Sequence, residues 1–180
     1  VLVPVYWELL EPQEGRFDYS LVDYLLARAE VEDLFLVPLW FGSWKNSMSC
    51  YVPSWVKRDS SRFKRVIVPD GQVQDILSPF CAEGLAADSR AFASLMRRIK
   101  ERDRDGRVVM VQVENEIGML PCPRDCSHAA QAAWTSQVPT ELLVYLEDHH
   151  ASLKPELASR LKAAASKPGA SWAELLGSDE

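Results

Sequence analysis

No apolar run in this 180-residue sequence reaches the roughly 18 residues needed to cross a bilayer, so no membrane partner is expected. Basic charge is in deficit. Twenty Lys and Arg stand against 26 Asp and Glu, a net charge of −6. That balance argues against a nucleic-acid partner, whose phosphates select a basic surface. Cysteine is scarce, with four residues, Cys50, Cys81, Cys122 and Cys126, too few for a disulfide framework. Cys122 and Cys126 have the spacing of half a zinc site. No second cysteine or histidine pair matches them, and the three histidines, His128, His149 and His150, fit ordinary loop positions. No metal and no cofactor is therefore expected. The glycine-rich phosphate-binding turn of dinucleotide folds is also missing. There is no starting Met, basic leader or cleavage-type signal, and Val1-Leu2-Val3-Pro4-Val5 reads as a strand already under way. The expectation is that the true N-terminus lies upstream, so no compartment is read from the sequence.

What is present is ordinary globular composition, 47% apolar and 26% charged. The length suffices for a real core, and residues 1–180 are read as one incomplete domain. Residues 1–7 form a short run rich in β-branched side chains. Glu11-Pro12-Gln13-Glu14-Gly15 marks a turn. Ser20-Leu21-Val22-Asp23 has the form of a capping box, and Leu21, Val22, Leu25, Leu26 and Ala29 then share a helical face. Residues 34–41 and 108–113 are apolar on both faces, as buried parallel strands are. Between them, residues 42–87 read as an elaborated loop. Asp88 is placed as the cap of a helix carrying Ala91, Phe92, Leu95, Met96 and Ile99. Two or three helices follow between residues 128 and 176.

Buried strands alternating with amphipathic helices imply an α/β fold with a parallel sheet. Pro4 and Pro38 weigh against central strands, since proline gives nothing to a ladder. An open doubly wound sheet fits the same order of elements. The missing glycine-rich turn favours a (β/α)8 TIM barrel instead. A full barrel needs eight strand–helix units and about 250 residues, so the chain is expected to supply a partial barrel.

Three clusters carry the chemistry. In Val111-Gln112-Val113-Glu114-Asn115-Glu116-Ile117-Gly118 an apolar strand ends in three hydrogen-bonding side chains. Strand ends of this kind face the active site of a barrel. Burial beside a second carboxylate raises a Glu pKa, as a general acid requires. The bland alternative is a helix start decorated with acids. The second cluster is Tyr6-Trp7-Glu8, where Trp7 offers a platform for a sugar ring and Glu8 an acceptor for hydroxyls. Glu11, Pro12 and Gly15 beside it read better as a structural corner, with Glu11 paired to an Arg. The third is Trp40-Phe41-Gly42-Ser43-Trp44-Lys45-Asn46, continuing to Tyr51 and Trp55. Aromatics interleaved with Lys45 and Asn46 suit carbohydrate, and an aromatic core under a long loop is the alternative for Trp40 and Trp55.

Together these clusters resemble the β-galactosidases of glycoside hydrolase families 35 and 42, in the clan of retaining (β/α)8 glycosidases. Trp7-Glu8-Leu9-Leu10-Glu11-Pro12, followed by Glu14-Gly15-Arg16-Phe17-Asp18, is similar to the clan's second-strand signature. Asn115-Glu116 resembles its fourth-strand Asn-Glu pair, and Glu114-Asn115-Glu116-Ile117-Gly118 the family 35 form. Leu39-Trp40-Phe41-Gly42-Ser43-Trp44-Lys45-Asn46 and Arg124-Asp125 are similar to a bacterial and fungal subgroup of family 35. The resemblance implies strands 2 to 4 of the barrel, with the first strand and the C-terminal half outside the chain. It implies that Glu116 is the acid/base, that Asn115 holds the sugar 2-hydroxyl, and that Glu114, Trp7, Glu8, Trp44, Lys45 and Asn46 line the substrate site for a β-galactoside. The nucleophile would be a seventh-strand Glu that the chain does not contain. A non-catalytic carbohydrate-binding module, and a β-glucosidase or β-mannanase, remain as competing readings. A half-barrel exposes unpaired strand edges. The isolated chain is therefore expected to have poor stability on its own, which calorimetry checks.

Overall fold

The structure, a computed structural model, describes residues 1–45, 50–116, 124–165 and 169–177. The chain gathers into two compact units, Val1–Cys126 and Ser127–Glu180. The first is mixed α/β around a three-stranded parallel sheet, ordered β1 (Leu2–Tyr6), β2 (Val37–Lys45), β5 (Gln112–Asn115). The three apolar runs thus become neighbouring parallel strands in chain order, with shifted bounds. β2 runs on to Lys45, and β5 keeps only the last part of its run. Pro38 supplies the reason for the short β5. Leu36 donates its N–H towards β5, to Arg107 O at 2.8 Å, whereas Val37 donates towards β1, to Val1 O at 2.8 Å. By that alternation the position of Pro38 falls on the β5 side, where it has no N–H to give. The register slips there, from Leu36↔Val108 to Leu39↔Gln112.

Two long helices cover one face of the sheet. α2 (Ser20–Val31) forms where the periodicity predicts it. Ser20 is not its cap, however: Asp18 is the acceptor, taking the Ser20 N–H at 2.9 Å and the Ser20 hydroxyl. α4 (Ala82–Arg102) starts well before the predicted cap, Asp88. Cys81 caps it instead, its Sγ accepting the Gly84 N–H at 3.3 Å. The alanine-rich start, Ala82 to Ala87, needs no other signal to be helical. Ala87, Ala91, Leu95 and Ile99 form the buried stripe of α4. They join Val3, Val5, Leu36 and Trp40 from the sheet side and Val22, Leu26 and Ala29 from α2 in one core. A bidentate Arg98–Asp23 pair ties α4 to α2.

The expected loop over 42–87 is more ordered than its composition suggests. It holds α3 (Ser54–Arg58) and an antiparallel hairpin, β3 (Arg65–Ile67) with β4 (Val73–Leu77). Buried Asp125 fastens the hairpin. It accepts the Ile67 N–H at 3.0 Å and the Ser78 hydroxyl at 2.6 Å, while Cys126 N–H meets Ile67 O at 2.7 Å. The second unit is helical: α5 (His128–Trp134), α6 (Thr140–Asp148), α7 (Pro155–Ala165) and α8 (Trp172–Leu176). Its small core is Val138, Leu161, Ala170 and Leu175. Ser171 and Glu174 make a capping box at α8. Among the described residues, no helix is long and apolar enough to cross a membrane.

The corner after β1 is organised by Glu11, which is fully buried at 0% exposure. It accepts Trp7 Nε1–H at 2.8 Å and Gly15 N–H at 2.8 Å, and lies 3.4 Å from Arg90 of α4. Gly15 sits at φ +74, a left-handed turn position that suits glycine. Trp7 opens the one-turn helix α1 (Trp7–Leu10), and its indole meets Trp55 edge-on at 5.9 Å. Glu11→Ala would strand the buried Trp7 N–H and the Gly15 N–H. We expect a loss of roughly 3 kcal/mol, read from the urea unfolding midpoint.

Candidate functional site

Parallel strands bring their carboxyl ends to one edge of the sheet. Here that edge gathers Tyr6 from β1, Lys45 from β2 and Asn115 from β5, with Lys45 opposite Asn115. Just before this edge β2 and β5 fall out of step. Trp40 faces Val113 and Lys45 faces Asn115, so β2 spends more residues than β5 on the same interval. The excess, residues 41–44, wraps a side chain instead of a ladder. Glu114 Oε2 accepts Trp44 N–H at 2.9 Å, and Glu114 Oε1 accepts Ser43 N–H at 3.2 Å. A carboxyl group thus replaces the carbonyls that a regular β5 would offer. Glu114 itself has φ +59, a left-handed conformation that strains a non-glycine residue.

Asp88 of α4 completes the cluster. Its Oδ1 accepts Trp40 Nε1–H at 2.9 Å, and its Oδ2 accepts Ser43 N–H at 2.9 Å and the Ser43 hydroxyl at 2.6 Å. The two carboxyls converge on the same Ser43 N–H, which Asp88 accepts at 2.9 Å and Glu114 at 3.2 Å. The space for this pair exists because residue 42 is glycine. A Cβ there would lie 2.5 Å from Asp88 Oδ1 and 2.6 Å from Glu114 Oε1. Burial, and then the hydrogen bond and charge of Asp88, push the Glu114 carboxyl up to about 8. The N–H groups of Trp44 and Ser43 pull in the opposite direction and lose.

Among the residues singled out in the sequence, Glu116 stands just past β5, exposed, at φ +49. Asn115 is half-buried beside it. Trp44 and Lys45 are half-buried at the end of β2, and Lys45 Nζ lies 5.1 Å from the centre of the Phe41 ring. Glu114 is brought to the same edge, turned inward onto β2 and α4. Asn46 lies outside the described residues. Trp7 and Glu8 go elsewhere. Trp7 is at 0% exposure, so its ring shows no face to solvent, and Glu8 is paired with Lys57 at 2.8 Å. Trp55 donates its indole N–H to Glu11 O at 3.0 Å and packs on Phe63, which makes it part of the corner.

Sequence reasoning placed Asp88 only as a helix cap, and it included Gly42, Ser43, Tyr6 and Tyr51 in the clusters without giving them roles of their own. Tyr51 lies 4.6 Å from Tyr6 and 6.0 Å from Phe41, ring to ring, forming an aromatic patch at the strand ends. A signal for Asp88 existed: it falls on the same helical face as Ala91 and Leu95, and a carboxylate in an apolar stripe needs a partner. Among the described residues, no group of three or more His, Cys, Asp and Glu is arranged to hold a metal. No family model matches the sequence, and no curated protein matches it.

The raised Glu114 pKa fixes a sign for stability. Folding takes up a proton between the free value of 4.5 and about 8, so stability falls as pH rises through that window. The expected slope is about 1.4 kcal/mol per pH unit at most. Denaturant melts from acid to mildly alkaline pH should show this decline, and Glu114→Gln should flatten it.

Proposed function

We propose that the chain belongs to the barrel of a retaining glycoside hydrolase acting on terminal β-D-galactosides, with Glu116 as acid/base. The observation that carries this reading is the meeting of Asn115–Glu116 with Lys45 at the carboxyl end of adjacent parallel strands. The fold assignment is part of the proposal. Parallel neighbours in unbroken chain order, covered by helices, are what strands 2 to 4 of a (β/α)8 barrel require. The half-buried Asn115 is suited to hold a sugar hydroxyl. The half-buried rings of Tyr6 and Tyr51, 4.6 Å apart and backed by buried Phe41, are suited to the apolar face of a ring.

In this mechanism Glu116, as the general acid, gives a proton to the glycosidic oxygen as a carboxylate nucleophile attacks the anomeric carbon. Glu116 then takes a proton from water, which releases the sugar with its configuration retained. The nucleophile must sit about 5 Å away across the sugar. Glu114 does not meet that need, because its carboxyl is committed to Asp88, Ser43 and Trp44. The nucleophile is therefore assigned to sequence outside this chain.

One observation favours a second reading, a carbohydrate-binding module or inactive relative. The aromatic patch and Lys45 could hold a sugar without any acid. Both readings are tested by titrating the isotopically labelled chain with galactose, glucose and mannose, and by assaying a panel of nitrophenyl glycosides. We expect no turnover from the chain alone. We expect galactose-dependent shifts at Lys45, Asn115 and Glu116. Shifts confined to Tyr6, Phe41 and Tyr51 would favour the module. Turnover abolished by Glu116→Gln would mean that the nucleophile is within the chain. The absence of shifts with every sugar would remove the carbohydrate reading.

A further inference from the structure

We propose that Asp88 and Glu114 share a single proton, and that this proton latches the carboxyl end of β5 onto β2, making both carboxyl groups positioning residues for Asn115 and Glu116. Among the described residues, the donors around the pair are the Trp40 indole, the Ser43 hydroxyl and the backbone N–H groups of Ser43 and Trp44. All four are neutral. Two carboxylates in mutual contact with only neutral donors repel, and retaining one proton between them removes the repulsion and supplies a hydrogen bond. The charged side chains nearest in sequence on the packed elements point to other tasks. Lys45 of β2 lies over the Phe41 ring, and Arg90 of α4 is directed at Glu11 and Glu14. Glu116 is exposed beyond β5.

The donors are distributed unevenly. Asp88 receives three hydrogen bonds on its two oxygens, all at 2.9 Å or shorter. Glu114 receives two, one of them 3.2 Å long. The negative charge is better accommodated on Asp88, so the proton belongs to Glu114.

The latch matters because the backbone it holds is strained. Glu114 and Glu116 are both non-glycine residues at positive φ, +59 and +49. Such conformations cost about 1 kcal/mol or more each and persist only where the surroundings impose them. The Glu114 carboxyl, anchored on β2 and α4, restrains this backbone, together with the Gln112 side-chain amide, which donates to Glu114 O at 2.9 Å. Loss of the shared proton places two charges in contact and loosens that anchor. Glu114 can then relax to ordinary φ, and Asn115 loses its place opposite Lys45.

The role given to Glu116 rests on the glycosidase reading, whereas the latch is observable without any sugar. The test is a pH titration of the full labelled chain by NMR from about pH 6 to about pH 9.5. It follows the Trp40 indole N–H, which reports on Asp88, and the backbone amide of Asn115, which reports on the end of β5. Both resonances should shift together with a midpoint near 8. Glu114→Gln, which keeps the shape of the protonated acid, should hold both at their low-pH positions throughout. Asp88→Asn should move the transition at least about one pH unit lower, because the repelling partner is gone. A flat wild-type response overturns the shared proton. A transition that survives Glu114→Gln does the same. Movement of Trp40 without Asn115 overturns the latch. The wild-type titration decides the matter even if a variant fails to fold.

Discussion

The contact between Asp88 and Glu114 is the interaction on which the sheet edge depends. It joins a helix, the central strand and an edge strand through side-chain oxygens where backbone pairing has lapsed. β2 and β5 cannot stay in step over residues 41–44, and the unpaired N–H groups of Ser43 and Trp44 would be costly if left unsatisfied. Carboxylate oxygens accept them. Placing two acids side by side to do this is favourable only if the pair sheds a charge, and burial drives that outcome. Local backbone, packing and proton binding are therefore one linked event at this edge.

A different solution operates at the corner after β1. There Glu11 is buried alone, and its acceptors are filled by an indole N–H, a backbone N–H and, at longer range, Arg90. The two sites show the alternatives open to a buried acid: a cationic partner or a neutral form. Trp7 and Trp40 play the same part in both, each donating its indole N–H to a carboxyl while its ring fills the core.

Much of this was legible in the sequence, and the failures have definite causes. Apolar runs at residues 1–7, 34–41 and 108–113 identified three parallel strands, but the expected burial on both faces does not hold for the two outer ones, where Leu2, Val109, Met110 and Val113 are exposed. The stripe from Ala91 to Ile99 identified α4. The corner at Glu11 and Gly15 was legible from its turn chemistry. Capping was not. Ser20 and Asp88 are both good caps by type, but Tyr19 stands at the first cap position without a side-chain cap bond and Cys81 takes the second, a residue type that capping preferences do not rank. The hairpin at Arg65–Leu77 was hidden because its stability comes from Asp125, far away in sequence. Trp7 illustrates the limit for site residues. An aromatic at a strand end is equally suited to a sugar platform or to a core, and only the position of Glu11 decides between them here.

Glycine 42 carries a consequence for variation of this protein. Its missing side chain is the room that the acid pair occupies. Any larger residue at that position would press on both carboxyls and also on the Trp40 indole nitrogen, 2.5 Å from where its Cβ would stand. Positions 40, 42, 88 and 114 should therefore tolerate exchange as a set and resist it singly. A library randomised at all four together would recover folded combinations that four separate scans would discard.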